Sequence, residues 1–280
     1  MDLTENRWRA LARSSPWRWR TIHLSFKGAG SASPVMAWIR RPGEMRVVVD
    51  GQVHVVSQGA RAVSLLQARE GGEPVPTDPP HLEPVRDADA VIPVRDDDRF
   101  VALRPRWPAF EADDPMWQSY QWVAMLDPVE LADGADDRDA EGTEVEPVRV
   151  LPEPFPELRW PTFRTSDGTE IHDLRVTSRR GRVTWWARVR PLETYAPRCG
   201  CCPLLWGEIS ERHEHLAGGP TADPPMADYP VSYEVALDLQ TGVCVALHPS
   251  NPVARADLGF DVTIHEVNVD YPDDLFTDQR

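Results

Sequence analysis

Apolar and polar positions alternate along four short runs near the start of the chain, after one segment with helical spacing. Trp8 and Leu11 follow Thr4, a residue type that caps helix N-termini, so this segment predicts a short amphipathic helix over 4–14. Asp50-Gly51 separates two Val-rich runs, which is the pattern of a two-residue β-hairpin. The runs predict a meander of four strands, at 17–26, 35–40, 45–49 and 52–57.

Strand pairs return in the second half of the chain. Turn residues at 178–181 and 240–242 separate apolar runs that predict two further hairpins, and a last strand follows them. The predicted strands are 170–177, 182–189, 232–239, 243–248 and 260–267. Because hairpins follow one another without alternating helices, the expected fold class is α+β with a mainly antiparallel sheet.

A second helix is predicted in the middle of the chain. Asp113-Asp114 precedes Pro115, and acidic side chains followed by a proline are typical of the first turn of a helix. We expect this helix over about 115–126. The acidic pair is interpreted as helix N-terminal charge and not as a catalytic pair of carboxylates.

Long connections interrupt the pattern within what we expect to be a single domain, residues 1–280. Loops are predicted at about 69–98 and 127–158, and a cysteine-containing loop at 197–230. Residues 127–146 hold nine carboxylates and one arginine. That density of like charge predicts a solvated tether.

Charge narrows the classes of partner. The formal net charge is −15, and residues 1–50 carry +5 from nine basic and four acidic residues, which leaves −20 for the remainder. A negative field of that size repels phosphate backbones, so no nucleic-acid partner is expected. No apolar run reaches the ~20 residues of a membrane helix, so no integral membrane segment is expected. The N-terminal residues lack an apolar signal region, which predicts a cytoplasmic location.

Two groups of short motifs resemble a known family. The first is Trp38-Ile39-Arg40-Arg41-Pro42-Gly43-Glu44-Met45-Arg46-Val47 followed by Asp50-Gly51; the second is Leu237-Asp238-Leu239-Gln240-Thr241-Gly242-Val243 with Asp274-Leu275-Phe276 near the end. They are similar to motifs of the lipoprotein-carrier family, the LolA/LppX/RseB-like fold, and cover about a third of the chain. The resemblance implies a strongly curved, incomplete antiparallel barrel with helices covering its concave face, and because its N-terminus lacks a signal region the chain is expected to be a leaderless bacterial member. Family members use that cavity for acyl chains, or as a sensor surface for other proteins.

Tryptophans are candidates for lining such a cavity. The ligand-binding candidates lie on predicted strands and are Trp17, Trp19, Trp38, Trp185 and Trp186. The last two are adjacent in a strand, so their side chains must point to opposite faces. The alternative is simple core packing, because aromatic residues fill cores as readily as pockets.

The most specific local feature is the cluster Cys199-Gly200-Cys201-Cys202, followed by His213 and His215. Clustered thiols in a reducing compartment are often metal ligands, and Cys199 and Cys202 have the Cys-x-x-Cys spacing of half a tetrahedral zinc site. The stretch from Glu208 predicts a helix, on which two histidines two residues apart diverge, so only one can bind the metal. The candidate zinc ligands are Cys199, Cys201, Cys202 and His213, or two of these cysteines and one histidine with a ligand from elsewhere, in a closed structural site. Two alternatives remain open: ordinary loop thiols, or a redox or vicinal disulfide pair.

Taken together, the residues predict a non-enzymatic binding protein that holds an apolar ligand or a partner segment in its concave face. The alternative is a structural or regulatory interaction protein whose core is filled by its own side chains. An enzyme on the same scaffold ranks third among the hypotheses, because the sequence contains no Gly-rich phosphate loop, nucleophile elbow or His-Glu-x-x-His motif. An open pocket of a few hundred Å3 would favour the first hypothesis over the second.

Overall fold

The computed structural model describes residues 2–57, 91–104, 114–135, 145–150, 159–162, 166–216, 229–250 and 258–278. The helices within these ranges are α1 (Glu5–Ser14), α2 (Gln121–Leu126) and α3 (Glu208–Leu216). Short 3-10 turns lie at Ser15–Trp17, Val129–Leu131 and Asp273–Phe276. Each of these helical segments is short, so the described part of the chain depends on its strands for most of its regular structure.

Nine strands of the described chain form one open antiparallel sheet: β1 (Thr21–Gly28), β2 (Val35–Arg40), β3 (Glu44–Val49), β4 (Gln52–Ser57), β10 (Thr169–Arg179), β11 (Arg182–Pro191), β12 (Tyr233–Asp238), β13 (Cys244–Pro249) and β14 (Phe260–Val267). Their order in the sheet is β10-β11-β12-β13-β14-β1-β2-β3-β4. The smaller strands β5 (Val91–Ile92), β8 (Val145–Val150) and β9 (Arg159–Thr162) form a second sheet, and β6 (Val94–Arg95) pairs with β7 (Val101–Leu103). The mainly antiparallel α+β fold class is confirmed, whereas the incomplete barrel with helices covering its concave face stays a prediction.

Pairing of β14 with β1 joins the N-terminal and C-terminal meanders into one sheet. Leu24 lies opposite Ile264 and Phe26 opposite Val262, so the apolar positions of both strands fall on the same face. Alternating side chains of a strand point to opposite faces, and this register therefore turns one apolar row of each strand toward the core. The hairpin between β3 and β4 turns at Asp50-Gly51, both with positive φ (49° and 77°), as the Asp-Gly signal predicted.

The N-terminal helix packs into the same core as the sheet. The Oγ1 of Thr4 accepts a hydrogen bond from the Arg7 amide (3.4 Å) and caps α1, as expected. Trp8 and Leu11 are fully buried and belong to the cluster that holds the buried side chains of the large sheet. One core therefore draws on residues from both ends of the chain.

The expectation of a solvated tether is wrong for the first part of that segment. Residues 127–134 are almost wholly buried, because their carboxylates accept hydrogen bonds within the fold: Asp133, for example, accepts from Arg13 Nε at 2.7 Å. The predicted loops at 69–98 and 127–158 stay a prediction; their described parts contain the short strands β5, β6 and β8, and residues 69–90, 136–144 and 151–158 lie outside the described residues.

The second predicted helix is shorter than expected. It begins at Gln121, and Asp114 does not act as helix N-terminal charge. The Asp114 side chain is 3% exposed, and its carboxylate accepts two hydrogen bonds from the Arg41 guanidinium, at 2.7 and 2.8 Å. In the described residues, no helix is both long and apolar enough to span a membrane.

Candidate metal centre

Three thiols meet on the loop that connects β11 to α3. The Sγ atoms of Cys199 and Cys201 are 3.0 Å apart, those of Cys201 and Cys202 are 3.5 Å apart, and those of Cys202 and Cys199 are 3.6 Å apart. Cys201 is exposed, and the other two are half-buried. Zn–S bonds of about 2.3 Å in tetrahedral geometry place sulfur atoms roughly 3.8 Å apart. The three thiols can therefore bind one metal ion after small outward shifts.

The predicted ligands are only partly brought together. The three cysteines form a group whose donor atoms lie within 4.8 Å of one another, and His213 is not a member of that group. Its role as a ligand stays a prediction. Cys244 lies apart from them, buried in β13, where burial raises the pKa of its thiol.

A single buried carboxylate ties both ends of the cysteine loop. Glu130 accepts hydrogen bonds from the Arg198 amide at Oε2 (2.9 Å) and from the Leu204 amide at Oε1 (2.7 Å). The hydroxyl of Tyr195 donates a third bond, also to Oε1 (2.7 Å). These amides lie immediately before and shortly after the four-residue cysteine cluster, so Glu130 fixes the width of the loop. Burial raises the pKa of Glu130, and its hydrogen-bond donors and the nearby Arg198 guanidinium oppose that rise.

A second buried carboxylate holds the same loop by its side chain. Asp127 is fully buried and accepts from both terminal nitrogens of Arg104, at 2.7 and 2.5 Å, and from Arg198 at 2.7 Å. Burial alone would raise the pKa of Asp127, but the two arginines outweigh it and hold the pKa below its ordinary value. Arg198 therefore joins the loop to this segment through its amide and its guanidinium.

Sequence reasoning missed both of these anchoring residues. They lie in a stretch that its many carboxylates marked as solvated. A local signal was present, since Glu130 follows the apolar run of α2 and is flanked directly by Val129 and Leu131. A carboxylate inside an apolar segment is buried only where it has partners, and those partners lie about seventy positions later in the chain.

Gly200 lets the cysteine loop approach α3 closely. A Cβ placed on this residue would overlap the Glu214 carboxylate and lie 3.0 Å from Glu214 Cα and 3.1 Å from its Cβ. A larger side chain here would require the Glu214 carboxylate to move away and α3 to shift by a few tenths of an ångström. The loop and α3 therefore touch where the cysteine cluster has its glycine.

Hydrogen bonding within the cluster makes one thiol more acidic than the others. Hydrogen bonds from Cys202 and Cys201 lower the pKa of Cys199 to about 5, whereas the bond to Cys199 raises the pKa of Cys202. The Tyr120 amide also donates to Cys202 Sγ at 3.2 Å. This arrangement favours a thiolate at Cys199 that accepts from the other two thiols, and a thiolate is the form that binds metals.

Two of the candidate tryptophans lie in the core. Trp19 is 2% exposed, with the Arg41 guanidinium 3.4 Å from its ring centroid. Trp185 is also 2% exposed and packs 5.6 Å from the Phe100 ring. Trp17 is half-buried at the end of a 3-10 turn.

The other two tryptophans are partly exposed. Trp38 stacks on His23, with ring centroids 4.3 Å apart and an interplanar angle of 9°. Trp186 lies beside Arg175 and is half-buried, and the alternation of side chains along a strand places it on the face opposite buried Trp185. The five candidates therefore do not share one surface, and their role in ligand binding stays a prediction.

Comparisons of the chain with family models, with curated proteins and with solved structures found no match. The likeness to the lipoprotein-carrier family therefore rests on the motifs quoted above. The structure therefore shows a cysteine-rich loop that can bind a metal ion, in a protein built on an open antiparallel sheet.

Proposed function

We propose that this protein is a non-enzymatic, zinc-binding interaction protein in which the metal holds a surface loop in one shape for contact with a partner. The observation that carries the proposal is the group of three sulfur atoms within 4.8 Å, on a loop whose two ends bind one buried carboxylate. Thiolates favour soft or borderline metals, and zinc is the member of that group that forms closed structural sites in reducing compartments such as the cytoplasm.

Direct packing of α2 on the large sheet favours an interaction protein over a carrier of apolar ligands. The ring of Phe26 packs against Trp122 of α2 at 4.8 Å and against Phe260 at 5.4 Å. These side chains pack on one another in the hydrophobic core, as expected of a core that the protein fills with its own side chains.

The surroundings of the thiols favour a structural role for the metal. Glu130 draws the two ends of the loop together from the core side, and a metal ion would join its tip from the solvent side. The guanidinium of Arg198, the residue directly before the cysteine cluster, is already held by the Asp127 carboxylate. Fixing the loop at its ends and its tip would leave the segment from 199 to 202 in a single conformation that a partner can recognise.

Native mass spectrometry of the full chain, with zinc added and then chelated, tests the metal assignment. We expect one zinc per chain, lost in a Cys199→Ser/Cys202→Ser variant, and slower hydrogen exchange in the loop when zinc is bound. A Cys244→Ser variant is the matched control, because that thiol is buried outside the cluster. Absence of stoichiometric zinc from the wild-type chain would overturn the proposal.

A further inference from the structure

The proposed zinc site has three sulfur ligands, and α3 is the element that can supply the fourth. Three consecutive residues of this helix carry donor groups: His213, Glu214 and His215. Successive side chains on an α-helix point about 100° apart, so only one of the three can face the cysteine loop. The helix orientation therefore selects the fourth ligand.

Contact with Gly200 shows which side chain faces the loop. The Cα and Cβ of Glu214 lie so close to Gly200 that a Cβ there would be 3.0 and 3.1 Å from them, and the Glu214 carboxylate covers the same point. Since the base of the Glu214 side chain rests on the middle of the cluster, His213 is turned aside by about 100°.

We infer that Glu214 is the fourth ligand, so that the centre is a three-sulfur, one-oxygen zinc site and not the Cys3His site that the sequence predicts. In the structure the Glu214 oxygens lie outside the 4.8 Å group, so ligation requires rotation about the side-chain torsions. Glutamate has three such torsions, and Glu214 is half-buried on α3. Carboxylate oxygens bind zinc at about 2.0–2.2 Å.

Cobalt substitution and zinc competition on the full chain distinguish the donors. The variants are Glu214→Gln, His213→Gln and His215→Gln, each of which keeps a polar side chain at the helix surface. We expect Glu214→Gln to weaken zinc binding by at least about 10-fold, the loss that removing even an outer-shell partner causes. It should also shift the ligand-field absorption of bound Co2+. The two histidine variants should stay within about 2-fold of the wild type in affinity, with unchanged spectra.

Three other outcomes would contradict either the glutamate ligand or the zinc site itself. Loss of affinity in His213→Gln, with Glu214→Gln unchanged, would overturn the inference and restore the histidine ligand. Unchanged binding in all three variants would also overturn it, because solvent would then hold the fourth position. Failure of the wild-type chain to bind either metal would instead refute the proposed function. Circular dichroism and urea midpoints check that each variant is folded.

Discussion

Replacing Glu130 with glutamine tests whether one carboxylate holds the cysteine loop. The amide oxygen of Gln can take the place of Oε1 and keep the bonds from Tyr195 and Leu204. Its NH2 group then faces the Arg198 amide, which loses its acceptor because two donors cannot pair. The flipped amide would leave two donors unpaired, so the first orientation is favoured.

The magnitude follows from this loss. An unpaired buried donor costs about 1–3 kcal/mol, and the two remaining bonds change from charge-assisted to neutral, at about 1 kcal/mol each. Relief of the burial of a charge offsets part of this sum. We expect the free energy of unfolding to fall by about 2 kcal/mol, which raises the unfolding equilibrium constant about 30-fold.

Urea unfolding and hydrogen exchange together measure the effect. The urea midpoint reports the global loss, and faster exchange of the Arg198 and Leu204 amides reports loosening of the loop itself. Glu208→Gln is the control, since its side chain is 73% exposed on α3. An unchanged midpoint together with unchanged exchange at both amides in Glu130→Gln would refute the assignment of Glu130 as the residue that closes the loop.

Three further predictions follow from buried and half-buried groups. Asp127→Asn should destabilise the protein by about 3–5 kcal/mol near pH 7 because it leaves two buried guanidinium groups without their carboxylate. The folded-state pKa of Asp127 is lowered, so the stability that its charge contributes is present above the unfolded pKa of about 3.9 and is lost as pH falls through the folded value. The urea midpoints of the wild type and the variant should therefore converge below about pH 4. A gap between them that stays constant with pH would contradict the ion-pair argument. Gly200→Ala should separate the loop from α3, cost about 1–3 kcal/mol by overpacking and weaken zinc binding in competition titrations; unchanged affinity would contradict the close contact. Trp185→Ala should cost about 3–5 kcal/mol in thermal or urea unfolding and Trp186→Ala about 1 kcal/mol, since the first is buried and the second half-exposed; equal losses would contradict their assignment to opposite faces.

Local patterns predicted the strands and the first helix closely. The predicted runs 35–40, 52–57 and 260–267 coincide with β2, β4 and β14, and the helix capped by Thr4 forms where expected. These elements depend on alternation, a cap and turn residues, which lie within a few positions of one another. The cysteine cluster was found for the same reason, since its spacing is local.

Long-range pairing explains what the pattern missed. The segment that begins at Asp127 was interpreted as solvated because its own residues are acidic, yet its partners Arg104 and Arg198 lie 23 and 71 positions away. Asp114 was interpreted as helix N-terminal charge, and it too has a distant partner, since Arg41 lies 73 positions away. A carboxylate is stable in a core only when a cation reaches it, and sequence alone does not show which cation does.

The sequence by itself determined where the strands lie, which of their faces are apolar, and that three thiols share one short loop. Tertiary structure decided the strand order that pairs β14 with β1, the anchoring of the cysteine loop by Glu130, and the contact that turns Glu214 toward Gly200. The division follows from distance along the chain. Alternation, turns and caps act between neighbouring residues, whereas a buried charge or a close backbone contact depends on groups that only folding brings together.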